Sequence, residues 1–130
     1  MKVILDCNII ISAGLNPGVC RDVVKNVISK HEIFLSSGIV QEYQEVISRI
    51  KFKPGAVSEF KLILSEILKA ATIIEPAQYS FNLLDPDDEV YLATALTAKA
   101  DVLITGDRKH FSFSQYEGIL VLSPSEFLKI

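Results

Sequence analysis

Short runs of apolar residues recur along the chain and alternate with longer amphipathic stretches. The runs are three or four residues long, which is too short for a helix and typical of β-strands. They contain almost no polar residues, a pattern typical of strands that are buried on both faces of a parallel sheet. The five predicted strands are residues 3–5, 33–35, 72–74, 102–104 and 119–122.

Between the predicted strands, apolar residues recur every three or four positions, as on the buried face of a helix. The predicted helices are residues 19–29, the stretch from Ile39 to Ile50, the stretch from Val57 to Leu68, residues 89–99 after an Asp85-Pro86 start, and a short segment opened by Ser123-Pro124-Ser125-Glu126. This alternation predicts one three-layer α/β/α domain over residues 1–130, with a parallel five-stranded sheet and right-handed crossovers.

Composition and charge narrow the classes of function. With 130 residues, of which 49% are hydrophobic, the chain can build the core of one ordinary domain. Its net charge of −3 excludes a generically basic protein that binds nucleic acid by charge alone. A polyanion would therefore have to be held by locally recruited positive charge, either a divalent metal or a basic patch.

The cysteines and the hydropathy pattern predict a cytoplasmic protein. Cys7 and Cys20 form no CxxC motif and no cysteine–histidine cluster, so we expect neither a disulfide framework nor a zinc site, and a reducing compartment. No apolar segment approaches the ~20 residues of a membrane span, and the N-terminus is unlike a signal peptide.

Acidic residues follow the predicted strands. Asp6 stands in an almost apolar opening, KVILDCNIIIS, where an unpaired carboxylate is costly and normally has a partner or a task. Asp107 follows the fourth strand, Glu42 lies early in the helix after the second, and acids crowd residues 85–89. Because ligands of open α/β sheets bind outside the carboxyl ends of the strands, we expect acids from four segments to gather at one edge.

Such a cluster suits a divalent metal. Gathered carboxylates repel one another and raise one another's pKa, and oxygen-rich clusters are what Mg²⁺ or Mn²⁺ prefer. A pair of these ions can generate hydroxide and stabilise the leaving oxygen in phosphodiester hydrolysis.

Structural roles remain open for several of these residues. Asp107 could be a Gly-Asp turn residue, and the acids of residues 85–88 could serve a helix N-terminus. Glu45 has Arg49 four residues on, which predicts a helical ion pair. Glu42 has Val46 at that spacing, so the sequence predicts no helical ion pair of this kind for Glu42.

Polar and basic neighbours of the acids are further candidates. Asn8 could be a neutral ligand or a donor to a carboxylate, or a turn residue. Thr105 could hydrogen-bond a carboxylate or a metal-bound water, or fill the strand end. The candidates for contact with a substrate or a partner are Arg49, Lys51, Lys53 and Arg108. For the first three, the pattern favours the stabilisation of a helix C-terminus.

Four segments together resemble a known family. The stretches LDCNIIIS, VQEYQEV, DPDDEVYLATALTAKADVLITGD and VLSPSEFL are similar to the PIN-domain family of metal-dependent ribonucleases. The similarity is to its bacterial and archaeal branch, which includes the toxin components of toxin–antitoxin pairs. It runs in order through essentially the whole chain.

The resemblance implies a fold, a site and partners. It implies a parallel five-stranded sheet flanked by helices, and RNA hydrolysis with Mg²⁺ or Mn²⁺. The implied metal-binding and catalytic acids are Asp6 with Asn8 as its companion, Glu42, Asp88 (with Asp87 as the alternative) and Asp107. It further implies a homodimer and, for a toxin, an antitoxin partner. Cys7 departs from the family, which usually has serine or threonine there.

Two other functions compete with this interpretation. Asp6 could be the nucleophile of an aspartyl-phosphate enzyme, although related phosphatases usually carry a second acid where this chain has Asn8. Alternatively, the chain could be a non-catalytic interaction module whose acids serve folding or a protein partner.

Overall fold

A six-stranded sheet forms the centre of the computed structural model, which describes residues 1–49, 56–78, 88–106 and 115–130. The strands lie in the order β3-β2-β1-β4-β6-β5, and every adjacent pair is parallel except β5 and β6. The strands are β1 (Lys2–Leu5), β2 (Glu32–Leu35), β3 (Thr72–Ile73), β4 (Val102–Ile104), β5 (Gln115–Tyr116) and β6 (Ile119–Leu122).

Six helices accompany the sheet in the described parts of the chain. They are α1 (Cys7–Leu15), α2 (Val19–Lys30), α3 (Ser37–Arg49), α4 (Ala56–Ala70), α5 (Glu89–Ala98) and α6 (Pro124–Leu128). The predicted α/β architecture is therefore confirmed, with one more strand than expected. The Asp85-Pro86 helix start lies outside the described residues.

The core encloses the central strands on both sides. The side chains of Val3, Ile4 and Leu5 in β1 and of all three residues in β4 are fully buried. Because successive strand side chains point to opposite faces, both faces of the sheet are covered. Helix α5 packs on β1, β2 and β4 and is buried nearly all round, as its apolar sequence predicts.

Two elements, α1 and β5, differ from the predicted pattern, each for a physical reason. Helix α1 contains three consecutive isoleucines, which favour a strand, but the burial of Ile9 and Ile10 in the core outweighs that preference. Strand β5 contains only Gln115–Tyr116 and so has no apolar run. It pairs antiparallel with β6 through a tight turn in which Glu117 and Gly118 have φ of 47° and 88°. The five predicted strands are thus confirmed as parallel, and β5 adds a sixth, antiparallel strand at this edge.

Serine side chains cap the starts of two helices, and the cap of α6 lies where the sequence predicts it. Ser123 and Glu126 form a capping box at the start of α6, with Pro124 in the first turn. The N–H of Ile39 donates to Ser36 Oγ at 3.3 Å at the start of α3. Among the described residues, none of the helices has the length and apolar character needed to cross a bilayer.

Helix α1 is held against its neighbours by a close approach and a cation. An ideal Cβ at Gly14 would lie 2.5 Å from Phe60 Cδ2 and 3.2 Å from Phe60 Cα on α4. Arg21 on α2 donates from Nε to the Ala13 carbonyl at 2.7 Å, near the C-terminus of α1. These contacts fix the helix that directly follows Asp6.

We therefore expect Gly14→Ala to destabilise the fold. The added methyl group would force α1 and α4 apart at a cost of about 1–3 kcal/mol, more than the ~1 kcal/mol that alanine gains over glycine in a helix. Urea denaturation measures the difference. Gly18→Ser is the control, because a Cβ there meets nothing within 4 Å and serine suits the start of α2. Equal stability of the two variants would contradict the packing argument.

Candidate metal centre at the carboxyl end of the sheet

Asp6 lies directly after β1, and its backbone continues the sheet. Its N–H donates to the Ile104 carbonyl of β4 at 2.9 Å, and its own carbonyl accepts from the Ile9 N–H at 3.0 Å. Asp6 occupies the N-cap position of α1, but its side chain makes no capping hydrogen bond. The carboxylate is buried, with 7% of the residue exposed. The Asp6 carboxylate therefore does not cap α1, although it stands at the start of that helix.

Thr105 orients the Asp6 carboxylate. It follows β4, is fully buried, and donates from Oγ1 to Asp6 Oδ2 at 2.7 Å. Its N–H donates to the Leu122 carbonyl of β6 at 2.9 Å, so the ends of β1, β4 and β6 lie side by side here. The sequence leaves several roles open for Thr105. In the structure it makes one of the predicted contacts, a hydrogen bond to a carboxylate.

Glu42 lies on α3, beside the end of β1. It lines a groove of about 320 Å³ together with residues of α3 and with Val90 of α5. The next residue, Tyr43, is fully buried, and its hydroxyl donates to the Leu5 carbonyl. This contact brings the Glu42 turn of α3 to the residue that precedes Asp6.

The electrostatics show that Asp6 and Glu42 share one neighbourhood. Burial is the largest cause of a shift that raises the pKa of the Cys7 thiol to about 12; the charges of Glu42 and Asp6 contribute to the rise, and Arg49 opposes it. Burial also raises the pKa of Tyr43 and of Tyr91, and both carboxylates add to each shift. Two acids from separate segments thus act on the same three side chains.

Asp88 begins the helix that reaches the same place. It is buried at the N-cap of α5, and its side chain makes no capping hydrogen bond. Tyr91, one turn further along α5, accepts the N–H of Cys7 on its hydroxyl at 3.3 Å. The first turn of α5 is therefore tied to the residue that follows Asp6.

Arg49 lies in the same groove as Glu42. It is exposed, and its Nε donates to the main-chain carbonyl of Glu45 at 3.3 Å, whereas the Glu45 carboxylate accepts from Gln41. The predicted Glu45–Arg49 ion pair is therefore wrong, since the Arg49 guanidinium bonds the main chain of Glu45 instead of its carboxylate. The Arg49 guanidinium instead lies close enough to lower the pKa of Cys7.

The remaining candidates are dispersed or lie outside the description. Asn8 is exposed on α1. Residues 50–55, 79–87 and 107–114 are not described, and they include Lys51, Lys53, Asp87, Asp107 and Arg108. Within the described ranges, no three histidine, cysteine or acidic side chains group closely enough to hold a metal ion. The carboxylate oxygens of Asp6 and Glu42 are nevertheless donors of the kind that Mg²⁺ and Mn²⁺ prefer.

Tyr43 and Tyr91 contact the backbone on either side of Asp6, although neither is among the predicted site residues. A signal was present, since each tyrosine lies on the buried side of a helix near a candidate acid. A buried phenol normally needs a hydrogen-bonding partner. Its presence among apolar residues therefore indicates a specific polar contact.

We expect Cys7 to be chemically inert in the folded protein. Its pKa of about 12, against 9.0 for an ordinary thiol, lowers the thiolate fraction near pH 8 by about 1000-fold, and burial blocks access as well. Iodoacetamide labelling in buffer and in urea, read by mass spectrometry of the Cys7 peptide, measures this. The half-buried Cys20 is the internal reference. Equally fast labelling of Cys7 in both solvents would contradict its burial.

Comparison with known proteins identifies the family. A family model described as PIN domain matches residues 2–109. An uncharacterized protein of Methanocaldococcus jannaschii is 27% identical over 142 residues, covering 99% of this chain and 90% of that protein. The crystal structure of VapBC2 from Rickettsia felis, bound to a DNA fragment from their promoter, has a similar fold: the TM-score is 0.64 at 17% identity, with 95% of this chain and 98% of that chain covered. The chain belongs to the PIN-domain family, whose members are generally nucleases.

Proposed function

We propose that the chain is a metal-dependent endoribonuclease in which Asp6, Glu42, Asp88 and Asp107 hold Mg²⁺ or Mn²⁺. The observation that carries the proposal is the Asp6 carboxylate. It is buried at the end of β1, is oriented by Thr105 and shares its neighbourhood with Glu42. Keeping two carboxylates together against their repulsion is understandable if a cation belongs between them. Membership of a family of nucleases supports the same conclusion.

Each part of the site has a role in this proposal. Bound divalent ions would activate water and stabilise the leaving oxygen of an RNA phosphodiester. Asp6 supplies oxygens in a fixed orientation, since Thr105 holds one of them at 2.7 Å. Glu42 supplies oxygens from the wall of the groove, where the RNA backbone has access.

Positive side chains near the groove would hold the phosphates. Arg49 is exposed in the groove, and Lys51, Lys53 and Arg108 are further candidates. With a net charge of −3, the protein needs such local contacts in addition to the metal. Asn8 is the proposed companion of Asp6.

The biological setting is part of the proposal. The similarity to VapBC2 supports a toxin with an antitoxin partner. We further propose that residues 1–130 act as one nuclease domain, in the cytoplasm and as a homodimer.

Cleavage of a pool of single-stranded and structured RNA tests the activity. We expect cleavage with Mg²⁺ or Mn²⁺ and none with EDTA. Asp6→Asn and Glu42→Gln should each lower the rate at least about 100-fold, because losing a ligand exceeds the 10–100-fold effect of losing a residue that supports one.

The controls make the same chemical changes elsewhere. Asp22→Asn on α2 and Glu66→Gln on α4 are exposed helical positions and should cleave like the wild type. Cleavage by Asp6→Asn at the wild-type rate would reject the metal centre. Covalent trapping of a phosphate analogue on Asp6 would support the phosphotransfer alternative instead.

The thermal stability of Asp6→Asn separates catalysis from folding. In EDTA we expect its Tm to equal or exceed that of the wild type, because one of two neighbouring charges is removed while the asparagine oxygen can still accept from Thr105. Added Mn²⁺ should raise the Tm of the wild type clearly more than that of the variant, which keeps only weaker binding. A Tm lower by several degrees in EDTA would show that the charge of Asp6 is structural.

A further inference from the structure

Two phenols bind the two peptide groups that flank Asp6. The Tyr43 hydroxyl donates to the Leu5 carbonyl, which belongs to the peptide before Asp6. The Cys7 N–H, which belongs to the peptide after Asp6, donates to the Tyr91 hydroxyl at 3.3 Å. The rings lie on different helices, and their exposed fractions are 0% and 1%. The peptide groups before and after Asp6 are therefore each hydrogen-bonded to a buried tyrosine.

These contacts complete the hydrogen bonding of both peptides. The Asp6 N–H and carbonyl are already bonded to Ile104 and Ile9. The register between β1 and β2 pairs Lys2 and Val3, so the Leu5 carbonyl lies beyond it and is bound by a side chain. With all four groups bonded, the backbone of Asp6 has little freedom to rotate, so the direction of its Cα–Cβ bond is fixed. The Thr105 hydrogen bond then orients the carboxylate at the end of that bond.

The same two helices carry or begin at two of the other proposed acids, Glu42 and Asp88. Tyr43 immediately follows Glu42 on α3, and Tyr91 follows Asp88 by one turn on α5. A shift of either helix relative to β1 would therefore move an acid and strain a phenol contact together. The two hydroxyls thus fix the positions of α3 and α5 relative to β1, the strand that Asp6 follows.

We propose that Tyr43 and Tyr91 are positioning residues of the metal centre, which hold Asp6 in register with Glu42 and Asp88. The inference rests on the proposed function. Neither phenol is required to touch metal or RNA. Each acts through the Asp6 backbone, in the way that residues supporting metal ligands generally act.

Phenylalanine substitutions test the proposal, because they remove the hydroxyls and keep the rings. We expect Tyr43→Phe and Tyr91→Phe each to raise the Kd for Mn²⁺, measured by calorimetry without RNA, about 10–100-fold. Tyr116→Phe, on the edge strand β5, is the matched control and should change the Kd less than about twofold. Circular dichroism checks that each variant is folded. If only one of the two variants folds, the Mn²⁺ affinity of that variant alone tests the proposal.

A double-mutant cycle distinguishes positioning from general loosening of the core. In an Asp6→Asn background, Tyr43→Phe and Tyr91→Phe should change the remaining Mn²⁺ affinity less than about twofold, because the group that they position is gone. Substituting 4-aminophenylalanine for Tyr43 restores a donor and should restore affinity. Equal effects in both backgrounds would overturn the inference.

The remaining outcomes separate this inference from the proposed function. Wild-type protein that binds Mn²⁺ and cleaves RNA, with folded Tyr→Phe variants of unchanged Mn²⁺ affinity, would overturn the positioning role alone. Wild-type protein that binds no Mn²⁺ would overturn both. Amide exchange adds a readout without metal: the Cys7 N–H should lose protection in Tyr91→Phe and keep it in Tyr43→Phe, and unchanged protection in Tyr91→Phe would overturn the Tyr91 contact.

Discussion

A carboxylate can remain buried at the end of an apolar strand only if hydrogen bonds replace the water that it gives up. The Thr105–Asp6 hydrogen bond meets part of this requirement, and the register of the sheet creates it. Leu5 pairs with Ile104 across the parallel β1–β4 ladder, so the next residue on each strand is Asp6 on one and Thr105 on the other. The fully buried apolar triplets of these strands fix that register, because a slip by one residue would bring Lys2 or Asp6 into a fully buried position of the ladder. The core therefore determines where the acid lies.

The side chains around Asp6 are mostly neutral, so they leave the negative charges of Asp6 and Glu42 largely uncompensated. Cys7, Tyr43 and Tyr91 have raised pKa values, so they stay neutral near pH 7 and supply dipoles without charge. Helix α5, which covers the strands beneath the site, is apolar over most of its surface. Arg49 opposes the carboxylates from an exposed position at the end of α3. A site arranged in this way gives up stability to repulsion, and a bound cation would recover it.

Features that depend on neighbouring residues could be predicted from the sequence, and features that depend on contacts between distant residues could not. Strands such as β4 could be predicted because consecutive apolar residues indicate a buried strand. Asp6 could be identified as a candidate because its neighbours are apolar. Helix α1 could not be predicted, since its isoleucines favour a strand and only packing against distant helices overrides them. The phenol contacts span 38 and 84 residues and end on backbone atoms, which carry no side-chain signal. The Glu45–Arg49 pair failed because spacing alone cannot show which of several neighbouring donors the carboxylate takes.

The thiol at position 7 shows which part of a residue the site uses. The family usually has a hydroxyl there, so the Cys7 side chain departs from its pattern. The contact to Tyr91, however, is made by the Cys7 N–H, which every residue except proline provides. The thiol itself is buried and held neutral by its raised pKa, so it fills the space without adding a third negative charge beside Asp6 and Glu42. The backbone geometry at Asp6 therefore does not depend on a hydroxyl at position 7, and the chain can differ from its family there while keeping the arrangement around the acid.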